Sequence, residues 1–429
     1  MKPLRFVLPA VAMMLMAMPM HAEGIKGQGN KIHVSQNTGS NRNDGSRGNP
    51  VKNIQKAIEM ASSGDVIYVA EGNYYGLLGS GNIKIDKGIS ILGGYSSDFS
   101  ERDVLKYRTY IQPTATSNGS AQGQGTIQIN VTKEGTLVEL DGLIMDRGNS
   151  IAYNPRGEGQ PEGVETPMMQ PIGTAGTGAP GVPEPKVYTT ETAIVYINTG
   201  SKCDVTIRNC AFLNGPNFGL RGSTFATKIT VDNCIFVNIR MAAVELRGAA
   251  AAMNSETRFT NNTVLFSWSR LKDFGDMGYG YRYLPKMDSY LDHNIIGCSV
   301  FSGLDRTHVD SSASKEAERV TTCENTLFFL NKQADLTLPG GGMSLRVSVN
   351  DFDDVAQLAR VSGNKAVTDP AIFNGAINEA YLKGFQNALY KEGTNYDRNS
   401  TAMFANHYPV EDALRLFGAV QGYGAQLPK

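Results

Sequence analysis

A chain of 429 residues carrying 40 basic and 41 acidic side chains has a formal charge of −1, so no overall field draws in nucleic acid or a membrane surface, and no nucleic-acid partner is expected. Five cysteines (Cys203, Cys210, Cys234, Cys298, Cys323) are odd in number and lack CxxC spacing, which argues against a disulfide framework and a zinc or redox motif. They are expected mostly as buried thiols.

Residues 1–22 read as a signal peptide. A basic head (Lys2, Arg5) precedes an apolar stretch to Met20, and small residues at Ala17 and Ala22 suit cleavage after Ala22. An anchor helix is the alternative. No later stretch is apolar enough to span a bilayer, so the mature chain is expected to be exported and soluble, in the periplasm, at the cell surface or outside the cell.

A short first strand is expected at Ile32 to Ser35 and an amphipathic helix from Pro50 to Ala61, with Ile54, Ala57, Ile58 and Ala61 at helical spacing. Residues 23–65 form this opening unit. Short β-branched runs follow at Val66 to Val69, Ile83 to Ile85, Ile89 to Leu92, Thr109 to Ile111, Thr126 to Val131 and Leu137 to Leu140, separated by turn residues. The opening IHVSQNTGS, NPVKNIQKAIEMASSGDVIYVAEGNYYG and IKIDKGISILGGYSSDFSERD resembles the pectate-lyase-like right-handed parallel β-helix family of bacteria. The resemblance is close over Ile32 to Asp103 and continues by pattern only beyond it. It implies an all-β fold, a solenoid with an N-terminal helical cap, and leaves activity open, because this fold hosts lyases, hydrolases, epimerases and non-catalytic surface proteins.

The repeat is legible on its own. Asn209-Cys210-Ala211-Phe212 and Asn233-Cys234-Ile235-Phe236 each follow an alternating strand, with weaker echoes at Asn262, Asn294 and Asn325. Stacked coils bring equivalent turn positions together, so Asn209, Asn233, Asn262, Asn294 and Asn325 are expected as an internal amide ladder; a simple turn preference for asparagine is the alternative. Phe212, Phe236 and Phe328 are expected to stack, with Cys210 beside Cys234 as thiols rather than a disulfide. The β-helix is placed at 66–350, interrupted by a Gly/Pro-rich loop at 149–186. Residues 351–429, with helices expected at Asp351 to Arg360 and Glu411 to Phe417, read as a small helical C-terminal cap, or else a separate appended segment.

In the family resembled, substrates lie along the strand after the third turn. Here that strand maps to Ala193 to Ile197, Gly219 to Gly222, Val244 to Gly248, Tyr279 to Leu284 and Thr307 to Asp310. Alternation points Leu220, Val244 and Leu246 inward, leaving Arg221, Glu245 and Arg247 outside as candidate catalytic residues. Tyr279, Tyr281, Arg282 and His308 are candidate substrate contacts. So is Trp268, expected on a loop from Ser267 to Gly278, where it serves as either a sugar platform or an anchor. Arginine forks suit carboxylates, so the expected partner is a polysaccharide, bound without established catalysis. The alternatives are a lyase or epimerase acting on an acidic glycan, and a structural or adhesive surface solenoid. No cofactor is required and no metal ligands stand out; calcium enters only with the lyase alternative.

Overall fold

The computed structural model of the chain describes residues 29–76, 82–112, 125–146, 193–215, 218–249, 253–268, 278–306, 320–340, 343–355, 358, 360–387 and 408–428. The signal-peptide segment, the 149–186 stretch and His308 lie outside the described residues.

The strands form three long sheets of ten, nine and nine members. Successive strands of the chain pass from one sheet to the next, so each strand pairs in parallel with the strand one coil away. The fold is a parallel β-helix. One antiparallel pair, Ala334–Gly340 with Met343–Val347, closes the second sheet at its C-terminal edge.

Register forces like onto like. In the first sheet Leu140, Ile207, Val231, Phe259 and Leu291 align one above another. The second sheet aligns Ile127, Val195, Leu220, Val244, Tyr281, Leu304 and Leu336, and the third aligns Met145, Phe212, Phe236, Val264 and Ile296. These rows fill one continuous apolar core. Phe212 and Phe236 stack with ring centroids 4.2 Å apart, and the aromatic run continues through Phe259 to Tyr281. Phe328 occupies the same row as Phe212 and Phe236, but Val264 and Ile296 intervene, and it meets Phe352 instead.

The corner between the first and third sheets bends through a left-handed residue in successive coils: Gly142, Asn209, Asn233, Asn261, His293 and Asn325 all have positive φ. Asparagine tolerates this backbone, and its amide reaches the neighbouring coil. Asn233 Nδ2 donates to Asn209 Oδ1 (2.7 Å), and Asn209 Nδ2 to Asp141 Oδ1 (2.9 Å). The expected single ladder is therefore two adjacent columns. Asn209, Asn233 and Asn325 hold the left-handed position, whereas Asn262 and Asn294 sit one residue later, in line with Cys210 and Cys234, and are fully buried. There Asn262 Oδ1 accepts the Cys234 backbone N–H (2.8 Å) and its Nδ2 donates to Val231 O (3.0 Å). Asn294 repeats the pattern one coil on, accepting the Asn262 N–H (2.9 Å) and donating to Phe259 O (2.8 Å). Buried amides thus replace ladder hydrogen bonds that the turn breaks.

The N-terminal helix is shorter than the expected Pro50 to Ala61. It spans Ile54–Met60, because Asn53 is still extended, and it presses Ile54, Ala57 and Ile58 onto the first coil. At the other end the coils run past residue 350: Arg360–Ser362 and Lys365–Val367 add a further strand to the first and third sheets. These short, polar edge strands lack the apolar alternation that marks the earlier coils. The turn Val349–Asp354 covers the open core with Phe352. The helices Glu379–Asn387 and Val410–Leu414 do not cap the end; they lie along the flank of the third sheet, where Tyr381, Phe385 and Tyr408 pack on Phe266 and Trp268. Arg108 near the start of the solenoid makes a two-pronged ion pair with Glu411 of this strap.

All five cysteines are free and buried. Burial pushes the thiols of Cys234 and Cys298 far up and that of Cys323 to about 12. A chromogenic disulfide reagent at neutral pH is therefore expected to find no fast-reacting thiol in the native protein and five after denaturation. Rapid native labelling would contradict the packing. Replacing Asn262 by alanine strands the buried Cys234 N–H, at a cost of about 1–3 kcal/mol, and should lower the urea midpoint clearly. An unchanged midpoint would remove the amide column from the account.

Candidate binding face on the second sheet

The outward positions of the second sheet form rows as regular as the inward ones. One row reads Tyr196, Arg221, Glu245, Arg282, Asp305 and Thr337 along successive coils. Beside it runs Ala193, Phe218, Ala242, Tyr279, Ser302 and Ala334. Arg221 and Glu245 face outward as alternation expects, and Arg282 joins them in the same row, so that the three meet one another. Arg221 Nε donates to Glu245 Oε1 (3.0 Å), and Arg282 Nη1 to Glu245 Oε2 (3.5 Å). Arg282 Nε also forms an ion pair with Asp305 Oδ2 (3.0 Å), whose other oxygen accepts from Thr337 Oγ1.

The carboxylates are the deeper layer. The Glu245 and Asp305 side chains are 8% and 4% exposed, against 24% for Arg221 and 15% for Arg282. Each arginine lies over an aromatic ring of its own strand: Arg221 over Phe218 (4.5 Å) and Arg282 over Tyr279 (4.6 Å). Such cation–π contacts hold the guanidinium planes in place. Arg247 belongs to the next outward row, is exposed, and has no ion-pair partner among the described residues, so it does not join Arg221 and Glu245 in a compact triad. Arg346 lies exposed at the C-terminal edge over Phe301 (5.8 Å), and Lys84 is exposed at the other end of the central row.

Several expected contacts are placed differently. Tyr281 is not on the face: it is in register with Val244 and Leu220, is fully buried, and its hydroxyl meets Ser289 Oγ at 3.1 Å. Period-two alternation makes it the inward neighbour of Arg282. Tyr279 does lie on the outer side but is buried beneath Arg282, supporting the cation rather than meeting a ligand. Trp268 is no loop residue. It ends the strand Thr263–Trp268, is buried, and packs on Phe385 of the strap, which makes it an anchor. The strand expected at Thr307 to Asp310 lies outside the described residues; the strand that continues the row is Ser302–Arg306, which brings Asp305 into it.

A second charged cluster, on the outer side of the first sheet, escaped the sequence. Glu139 and Asp141 are buried and bridged by Arg208, while Arg102 reaches Asp141 Oδ1 (2.8 Å) and Ser90 Oγ donates to Glu139 (2.9 Å). With every carboxylate engaged by neighbours, this cluster fastens the early coils together. Alternation within Leu137–Asp141 marks both acids as outward, but Arg208, which bridges them, arrives from a coil separated by the long 149–186 stretch, and Ser90 and Arg102 come from earlier segments of the chain. Among the described residues no three of His, Cys, Asp and Glu converge as metal ligands.

The profile of a family described as a protein of unknown function (DUF1565) matches residues 37–265, more than half of the chain. The chain belongs to that family. No curated protein sequence matches it. Among solved structures, this DUF1565 member is similar to a pectate lyase, Pel9A, at 12% identity and a TM-score of 0.41, covering 79% of this chain and 78% of the other. A rhamnogalacturonan lyase matches at 11% identity and a TM-score of 0.36, over 92% and 100% of the two chains. A pectin methylesterase in complex with a hexasaccharide matches at 12% and 0.34, over 79% and 93%. The parallel β-helix of the DUF1565 member rests on its own strand pairing.

The burial of Tyr281 has a pH consequence. Loss of solvation pushes its hydroxyl up to about 12 from an ordinary 10. The folded state therefore keeps a proton that the unfolded state loses, so stability falls as pH rises from about 10 to 12, by roughly 2–3 kcal/mol in all. Denaturant titrations of Tyr281→Phe are expected to show a shallower alkaline loss than the parent. Equal slopes would place the hydroxyl in water.

Proposed function

We propose that this protein is exported and binds an acidic polysaccharide along the outer face of its second sheet. The observation that carries the reading is the excess of guanidinium over carboxylate among the described residues of that face. Arg221, Arg247, Arg282 and Arg346 stand against Glu245 and Asp305, and the two acids lie beneath their arginines. Planar guanidinium groups pair with carboxylates through parallel N–H donors, and rings beneath them limit the entropy lost when a ligand is held. The stacked coils supply a straight, rigid surface along which an extended polymer meets one strand after another.

Binding fits this arrangement better than catalysis. A lyase or epimerase needs a base to take a proton next to a carboxylate, and the Glu245 carboxylate is already held by two arginines. Calcium belongs to the lyase alternative alone.

Purified mature protein tested by affinity electrophoresis against acidic and neutral polysaccharides, with and without calcium, is expected to be retarded by acidic polymers without forming unsaturated products. Arg247→Ala should weaken retardation by roughly tenfold without unfolding, because the side chain is exposed. Unsaturated ends that disappear in Arg221→Ala would make the protein a lyase. Failure to bind any polymer would favour a structural solenoid.

A further inference from the structure

Successive strands of the binding face are not equivalent: two kinds alternate. Phe218 with Arg221 occupies one coil, Ala242 with Glu245 the next, Tyr279 with Arg282 the third and Ser302 with Asp305 the fourth. Over these four coils an aromatic-backed arginine alternates with a small residue beside an acid; the flanking coils carry Ala193 with Tyr196 and Ala334 with Thr337. Coils stack about 4.8 Å apart, so the two arginines repeat at roughly 9.6 Å along the solenoid axis.

A pyranose in an extended polysaccharide advances by a length close to one coil spacing, so two sugars span the distance between the arginines. On this basis, and resting on the reading of the face as a polysaccharide site, we infer that the ligand is a polymer of alternating acidic and neutral sugars. A carboxylate on every second sugar meets Arg221 and then Arg282. The intervening neutral sugars lie over Glu245 and Asp305. A polymer with a carboxylate on every sugar sets half of its charges against Glu245 and Asp305. Like-charge juxtaposition of this kind selects against a wrong partner even where the right one gains little. The same two-coil period in the aromatic row supports the inference separately, since Phe218 and Tyr279 fix the guanidinium planes only on the arginine coils.

The test compares hyaluronan, in which a uronate alternates with a neutral N-acetylated sugar, with polygalacturonate, in which every sugar is acidic. Fragments matched in length are titrated calorimetrically into the mature protein at low salt. Hyaluronan is expected to bind tighter by roughly tenfold. Glu245→Gln, which removes the charge on one intervening coil, is expected to strengthen polygalacturonate binding and narrow the gap. This gain cannot arise from misfolding, and Asp305→Asn provides the same readout one coil pair away. Polygalacturonate binding as tightly as hyaluronan, or a gap unmoved by both substitutions, overturns the alternation while leaving a binding face. Binding of neither polymer overturns the binding face itself.

Discussion

Parallel pairing between one coil and the next is the constraint from which the rest of this structure follows. Once each strand bonds in register to its equivalent one coil away, a residue of given character is placed on its counterpart at about 4.8 Å, inside and out. Inside, this stacks Leu220 on Val244 and Phe212 on Phe236, and the core grows along one axis. Outside, it lines charges into rows, where a run of one sign would repel itself. The second sheet resolves that repulsion by alternating Arg221, Glu245, Arg282 and Asp305; the first sheet does so by setting Arg208 over Asp141 and under Asp232.

The corners carry the cost of turning. A chain that leaves one sheet and enters the next within a residue or two needs left-handed backbone, and it interrupts the ladder of backbone hydrogen bonds. Asparagine meets both demands at adjacent positions, as Asn233 in the left-handed column and Asn262 with its amide bridging Cys234 and Val231. The ends of the solenoid are treated unlike its middle: a helix plugs the first coil, Phe352 closes over the last, and exposed Arg360 and Lys365 stand on the final edge strands. Charged edge residues discourage further strand addition.

Much of this is legible in the amino-acid sequence. The signature around Gly64-Asp65 and the Asn-Cys repeat point to a β-helix, and alternation alone places Arg221, Glu245 and Arg247 outward and Leu220, Val244 and Leu246 inward. Three things were not legible, each for a physical reason. The Asn261-Asn262 pair permits two registers one residue apart, and only strand pairing decides that Asn262 belongs with Cys234. Tyr281 looks outward because tyrosine is amphipathic, yet its hydroxyl finds Ser289 within the core. An amphipathic helix announces that it covers something without announcing what, and here Tyr381 and Phe385 match Phe266 and Trp268 on the flank rather than the open end. The face itself was half legible, since Asp305 was hidden by a strand placed five residues too late in the sequence.

The central claim is that the outer row of the second sheet is a polysaccharide surface, and a crystal structure of the mature protein soaked with an acidic oligosaccharide tests it most directly. The account predicts an extended sugar chain parallel to the solenoid axis, with a carboxylate within hydrogen-bond reach of Arg221 or Arg282. An oligosaccharide bound elsewhere, or a bare second sheet at saturating ligand, would contradict it.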